Sequence, residues 1–365
     1  MGLNCGIIGL ANCGKTSLFN CMSNTKAEAT NYAFATNKSN IGVINVPDPR
    51  LPELTKLQPT KKEVPATVDI VDVPGLTKGS SRGEGVGNAF LNDIKSSDAI
   101  IHVLRCFDDE NLAHVDGSVD PVRDWETVNF ELQVKDLDTI DRKIERTEKL
   151  ARAGDKDAKA DLEILKTYKD HLEDMQPART APVKPSQTHV IDDLFLYSAK
   201  PVMIVCNVDD ASATEDNKYV EAVRKAMEDE DIKILRIAAG IESEIAELDD
   251  EDERREFLDD YGLSEPSVNL LIREAYDMLN LQSFFTIGEE ENRAWTIRKG
   301  MTAPQAAGVI HSDLEKGFIR AEVMKYQDFI ELKSEQAVKD AGKFHVEGKS
   351  YVVDDGDILH IRFNV

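Results

Sequence analysis

The stretch Gly9-Leu10-Ala11-Asn12-Cys13-Gly14-Lys15-Thr16 fits the pattern GxxxxGK[ST]. Its glycines let the backbone curl, so that successive N–H groups from Asn12 to Ser17 point at phosphate oxygens. A helix opening at that point adds partial positive charge. Lys15 is then placed to reach the β- and γ-phosphates, and the Thr16 hydroxyl to ligate Mg2+. The chemistry to expect is capture of a nucleoside triphosphate and attack on its β–γ bond. Cys13, enclosed between Asn12 and Gly14, reads as a small loop residue whose oxidation or alkylation would cost nucleotide binding.

Two further groups belong with this loop. Val68-Asp69-Ile70-Val71-Asp72-Val73-Pro74-Gly75 is an apolar run ending in DxxG. Asp72 is placed to hold a water on Mg2+, and the Gly75 N–H to meet the γ-phosphate. Thr36, between the first helix and this run, can reach Mg2+ when a γ-phosphate is present. Asn207-Val208-Asp209-Asp210 stands where a GTPase has Asn-Lys-x-Asp. Val208 replaces the lysine that stacks on the base, while Asp210 keeps a carboxylate able to read guanine. Ala238-Ala239-Gly240 lacks the Ser-Ala-Lys usual in the other base loop. Two of three guanine signals are therefore missing, which weakens guanine recognition without establishing adenine.

The elements that must carry these residues are short, nearly continuous apolar strands. They begin near Cys5, Ala66, Ala99, Pro201 and Ile232, with helical spacing between them. Such runs suit buried parallel strands covered on both faces. The expectation is an α/β doubly wound P-loop domain over 1–127 and 199–281. Between 128 and 198 the texture changes. Phe130, Val134, Leu137, Ile140 and Ile144 recur at three- and four-residue steps, Gly154-Asp155 interrupts, and Leu162, Leu165, Tyr168, Leu172 and Met175 resume. That predicts an inserted antiparallel helical hairpin. Residues 282–365 alternate in strand fashion and form a β-rich C-terminal module.

Composition narrows the partners. The 365 residues carry 44 Lys+Arg against 68 Asp+Glu, a net charge of -24. That excludes a chain coated in positive charge, and with it a DNA-binding or anionic-membrane role. No apolar run is long enough for a membrane span, and the N-terminal residues lack a signal-peptide pattern. Five cysteines without a CxxC pair point to reduced thiols and a cytoplasmic location. The acidity is uneven. Residues 242–260 hold 11 acids against Arg254 and Arg255 and read as a solvated helix face, whereas 282–365 hold 14 acids against 11 bases.

Taken together, these motifs resemble the YchF/Obg-like ATPase family of translation-factor-related P-loop proteins. Asp48-Pro49-Arg50-Leu51, Gly83-Glu84-Gly85-Val86-Gly87-Asn88, Ile101-His102-Val103-Leu104-Arg105-Cys106-Phe107, Ala303 to His311 and Glu315 to Val323 carry the likeness along the whole chain. The resemblance implies a C-terminal β-grasp (TGS) domain, Mg2+-dependent hydrolysis of ATP in preference to GTP, and association with the ribosome, its large subunit or its RNA. The family's base motif has an apolar residue after Asn and Glu in fourth place; Val208 conforms and Asp210 departs. Leu76 occupies the place of a water-orienting Gln and cannot polarise water. The resemblance assigns that task to a loop histidine, here His114, and suggests that Asn12 helps hold K+ beside the phosphates. For a ribosomal partner the candidate RNA contacts in this sequence are the basic residues Arg293, Lys299, Lys316 and Arg320 of the C-terminal module, with Lys149 and Arg152 of the hairpin.

Overall fold

A computed structural model describes residues 3–23, 40–73 and 87–364. The chain divides into two compact units, one built from residues 1–42 and 69–271, the other from 43–68 and 272–365.

The first unit contains β1 (Asn4–Ile8), α1 (Lys15–Ser23), β4 (Thr67–Asp72), α3 (Gly87–Ser96), β5 (Ala99–Arg105), β6 (Val202–Asn207), α6 (Lys218–Ala226), β7 (Lys233–Ile237) and α7 (Ala239–Glu247). With β2 (Asn40–Asn45), its sheet has the order β2-β4-β1-β5-β6-β7. The pairs β1–β4, β1–β5, β5–β6 and β6–β7 are all parallel. Every residue of β5 is buried. A central strand covered on both faces explains why its sequence is apolar without alternation. The five expected strands are present, and P-loop, DxxG strand and Asn207 all lie at the carboxyl ends of β1, β4 and β6. That edge is where doubly wound sheets bind ligands.

The helical hairpin consists of α4 (Pro121–Arg152) and α5 (Lys156–Glu173). Asp120 caps α4 through the Arg123 N–H, and Pro121 occupies the first turn, where its missing N–H costs nothing. Gly154 turns the chain at φ +100°, and Asp155 then caps α5. The helix thus starts seven residues before the expected boundary at 128. Its first turns bury Trp125 among Leu104, Cys106 and Ile204, and Val128 beside Ile8 and Ile100, so they belong to the nucleotide domain's core. The expected seam is also corrected at its ends. Phe130 is 49 % exposed and Met175 46 %, whereas Ile140, Leu165, Tyr168 and Leu172 are buried together. On the return, Asp136 is wholly buried and accepts from Tyr197 N (2.8 Å), Ser198 N (2.6 Å) and Ser198 Oγ (2.6 Å). Burial outweighs those donors and pushes its carboxyl up to about 6.

The acidic stretch is solvated as expected but for one residue. Glu242 is buried in α7 and accepts from Ser267 N (2.7 Å), at the start of α9 (Ser267–Met278). The other ten acids of the stretch are exposed as expected, and α8 (Glu251–Asp260) has Leu258 as its one buried residue.

The second unit has a sheet of order β11-β10-β12-β8-β9-β3, from β3 (Glu63–Val64), β8 (Leu281–Thr286), β9 (Asn292–Arg298), β10 (Phe318–Lys325), β11 (His345–Glu347) and β12 (Asp357–Phe363). Helix α10 (Ala303–Ile310) buries Ala303, Ala306 and Ala307 against Phe284, Ile297, Val323 and Leu359. The expected domain boundary at 282 misses a segment of this unit. Residues 43–68 supply β3, paired in parallel with β9, and α2 (Arg50–Leu57). Arg50 reaches Asp48 (2.8 Å) and Asp355 (2.7 Å), and Asn292 Nδ2 donates to Thr55 Oγ1 (3.2 Å) and Gln58 O (2.8 Å). An excursion more than 200 residues distant in sequence is invisible to local patterning.

Candidate nucleotide site

At the carboxyl end of β1 the backbone must turn sharply. Gly9 sits at φ +150°, where a Cβ would lie 2.4 Å from the Val103 carbonyl oxygen. Gly14 sits at φ +100°, and its Cβ would lie 2.2 Å from Asn207 Nδ2. Neither place admits a side chain, and both conformations favour glycine. Asn12 adopts φ +63°, a region that asparagine tolerates better than most residues. The result is a loop closed over the start of α1.

Lys15 is buried, and its Nζ donates to Leu10 O at 2.7 Å and lies 3.8 Å from Cys13 Sγ. The ammonium is thus stored inside the loop whose N–H groups would meet the phosphates. Burial raises the Cys13 thiol above its ordinary range, so it is a packed thiol and not an activated one. Thr16 Oγ1 donates to Asp72 Oδ2 at 3.2 Å. Burial raises the Asp72 carboxyl, and the Thr16 hydroxyl and Lys15 only partly offset it. A hydroxyl and a little-hydrated carboxylate side by side form an oxygen donor pair suited to a hard cation such as Mg2+. Thr36, Gly75 and Leu76 lie outside the described residues.

Asn207 ties the site together. It is buried, donates from Nδ2 to Cys13 O (3.0 Å), and accepts at Oδ1 from Ala239 N (3.1 Å). Sequence reading places it in the base motif; the structure adds a second task, the clamp between the P-loop and the start of α7. Val208 is 3 % exposed and packs with Leu104, Cys106 and Ile204. Asp210 is exposed, and its Oδ1 lies 2.9 Å from where a Cβ on Gly240 would be. A cleft of about 660 Å³ runs from Asn12, Lys15 and Thr16 past Asn207 and Asp210 to Gly240 and Ser243. Its remaining wall is Phe107, Asp108, Asp109 and Leu112, which the motifs did not indicate. A signal existed: Arg105 is the one arginine or lysine of β5 and stands at its carboxyl end.

His114 does not line this cleft. Its side chain is 6 % exposed, with Nε2 2.9 Å from Asp124 Oδ2 and Nδ1 accepting from Asp116 N at 3.1 Å. Acceptance at Nδ1 fixes the proton on Nε2, which donates to Asp124. Both ring nitrogens are therefore engaged, and neither is open to a water. Arg123 lies 3.2 Å from Asp124 and 3.6 Å from Asp116, so a resident guanidinium occupies the space between these carboxylates. Asn12 Nδ2 donates to Ala113 O (3.0 Å), which ties the P-loop to the residue before His114.

A glycine-curled loop between a parallel strand and a helix, with Lys15, Thr16 and Asp72 gathered at its mouth, defines a P-loop nucleoside triphosphatase fold. A family model described as 50S ribosome-binding GTPase matches residues 4–147, and one for the YchF GTPase C-terminal domain, described as a protein of unknown function, matches 281–364. The chain is 47 % identical over 365 residues to the ribosome-binding ATPase YchF of Haemophilus ducreyi, and 45 % over 367 residues to that of Bacillus subtilis, covering 100 % of each chain in both cases. The solved Schizosaccharomyces pombe YchF GTPase superposes with TM-score 0.89 at 35 % identity, covering 99 % of this chain and 98 % of that one. The chain belongs to the YchF family.

Proposed function

We propose that this protein is a cytoplasmic, Mg2+-dependent nucleotidase that cleaves the β–γ bond of ATP and binds ribosomes in a nucleotide-dependent way. The observation that carries the reading is the convergence of Lys15, Thr16 and Asn207 on one cleft, with Asp72 hydrogen-bonded to Thr16. Thr16 and Asp72 would hold the metal, with Thr36 joining them. Bound there, Mg2+ would neutralise charge developing on the phosphoryl oxygens. Lys15 would exchange the Leu10 carbonyl for phosphate oxygens, and the N–H of Gly75 would add a fixed donor. His114 would orient the attacking water once released from Asp124. A K+ ion beside the phosphates would use the Asn12 side-chain oxygen, while the nitrogen of the same amide keeps Ala113.

Support for ATP over GTP comes from Val208. Its side chain is packed into the core, so this position cannot supply the stacking lysine of a guanine site. Ribosome association is supported by the names of the relatives and, for the large subunit, by the matched GTPase model. Among the candidate RNA contacts, Arg293 pairs with Glu291, Lys299 with Asp277, Arg320 with Glu322 and Arg152 with Glu148. Lys149 and Lys316 are exposed. The pairs exposed on both sides, Lys299–Asp277 and Arg152–Glu148, are worth about 0–1 kcal/mol and yield readily to a phosphate, whereas Glu322 is buried and holds Arg362 as well as Arg320. Calorimetry with non-hydrolysable ATP and GTP analogues, beside phosphate release with Mg2+, tests the reading. Tighter ATP binding with ATP turnover is expected; equal or tighter GTP binding overturns the base assignment, and no release from either nucleotide overturns the enzyme.

A further inference from the structure

Arg105 ends the central strand β5 and is 2 % exposed. A guanidinium placed so deeply needs partners, and its partners are unusual. Nε donates to Phe107 O (3.1 Å), Nη1 to Leu112 O (2.8 Å) and Nη2 to Asp109 O (3.2 Å). All three acceptors are backbone carbonyls of one loop, and the guanidinium also lies 4.9 Å from the Phe107 ring centroid. The same loop supplies Phe107, Asp108, Asp109 and Leu112 to the cleft.

We propose that Arg105 is a positioning residue for nucleotide binding: its forked donors hold the Phe107–Leu112 loop as the wall against which the nucleoside rests. The inference deepens the reading of the cleft as a nucleoside triphosphate site and rests on it. The geometry requires arginine. Three carbonyls in different directions match the rigid planar fork, whereas a lysine ammonium on a flexible stem would satisfy fewer of them and could not stack on the ring. The loop's place is also specific. The Cys106 N–H donates to Asn207 O (2.7 Å), so the loop leaves the sheet beside the Asn207–Asp210 turn. Tyr219 Oη donates to Asp108 Oδ1 (2.7 Å), and the loop then runs to Ala113, the acceptor for Asn12. The Lys15–Leu10 and Thr16–Asp72 bonds involve none of its residues. Loss of the fork should therefore weaken the grip on the nucleoside and spare the phosphate contacts.

Arg105→Lys and Arg105→Gln test this, with three readouts: the Kd of a fluorescent methylanthraniloyl-ATP, the inhibition constant of inorganic tripolyphosphate with Mg2+, and kcat at saturating ATP. The expected result is a Kd raised about tenfold or more, with tripolyphosphate inhibition and kcat within about twofold of wild type, because only the loop's hydrogen bonds are lost. Equal weakening of both ligands, or a fall in kcat alone, would make Arg105 merely structural and overturn the proposal, as would an unchanged Kd. If neither variant folds, amide exchange in the wild type decides. Protection of residues 107–113 above free-peptide rates without nucleotide is expected, and its absence refutes the proposal. A wild type that binds no methylanthraniloyl-ATP removes the nucleotide reading itself, which distinguishes that failure from one of Arg105.

Discussion

Asn207 offers the sharpest quantitative test of the site. In Asn207→Ala, Cys13 O loses its donor at 3.0 Å and Ala239 N its acceptor at 3.1 Å. Each buried orphan costs about 1–3 kcal/mol, for a ceiling of about 6 kcal/mol. Asn207 borders the cleft, so water can enter and replace part of the loss. The low end, about 2 kcal/mol, is therefore expected in urea unfolding. The nucleotide feels the same change through a P-loop no longer pre-shaped, and a Kd for an ATP analogue raised about tenfold corresponds to about 1.4 kcal/mol. Asn207→Asp separates the clamp from mere volume. It keeps the acceptor for Ala239 but sets a carboxylate oxygen against the Cys13 carbonyl and adds a buried negative charge near the phosphates. At an intermediate effective dielectric that charge adds about 2 kcal/mol against a triphosphate. Asn207→Asp should therefore bind nucleotide worse than Asn207→Ala, by about tenfold or more in calorimetry. Equal binding by the two variants, or an alanine variant unchanged in both assays, would refute the clamp.

Asp136→Asn should destabilise the hairpin base by about 2 kcal/mol, since an amide presents only one oxygen to three donors. Its pH signature has a definite sign. Burial lifts the native carboxyl from 3.8 to about 6, so the folded state holds the proton more tightly than the unfolded one. The stability this group contributes is full below 3.8 and lost as pH rises through 6, so wild type should gain on the variant by about 2 kcal/mol as pH falls from 7 to 4.5; a pH-independent difference in urea midpoints would contradict this. Asp124→Asn weakens the acceptor that holds His114 Nε2, so turnover at saturating ATP should rise about threefold, and that gain should vanish in the double variant with His114→Ala. An unchanged rate in His114→Ala alone would remove His114 from the hydrolytic step. Asp210→Glu restores the fourth-place residue expected of the family, and competition binding should show GTP affinity falling about tenfold relative to ATP; unchanged selectivity would mean that Asp210 reads no base.

The parts of the site legible in the sequence were those fixed by local backbone demands. Gly9, Gly14, Lys15 and Thr16 announce a strand-loop-helix turn, and Asp72 and Asn207 each close an apolar run, so a parallel sheet delivers them to one edge. What escaped depended on side chains meeting across the fold. Asn207 reads only as the first residue of the base motif until its two backbone partners are seen. Glu242 reads as one acid among many until Ser267 is found at its carboxylate. Phe130 fits the helical repeat as well as Trp125 does, and only packing on the sheet decides which of them is buried. The segment 43–68 gave no sign that its short strand pairs with β9.

The position of Val208 has a consequence for how this cleft can tell one base from another. A lysine in that place would lie along the base; valine is committed to the core with Leu104 and Cys106, so one face of the base loses its protein partner. Discrimination then falls to polar groups at the rim and to the remaining wall. Gly240 leaves room for the Asp210 carboxylate, because a Cβ there would stand 2.9 Å from Oδ1. A carboxylate only accepts hydrogen bonds. It can meet the exocyclic amine of adenine once, whereas guanine offers it a ring N–H and an amine together. Asp210 alone therefore favours guanine, while the lost lysine disfavours it, and the two effects oppose each other within one four-residue motif. An Asp210→Asn variant resolves the balance: it should cost GTP at least tenfold and ATP no more than about threefold in Kd, and a larger loss for ATP would show that the carboxylate serves adenine after all.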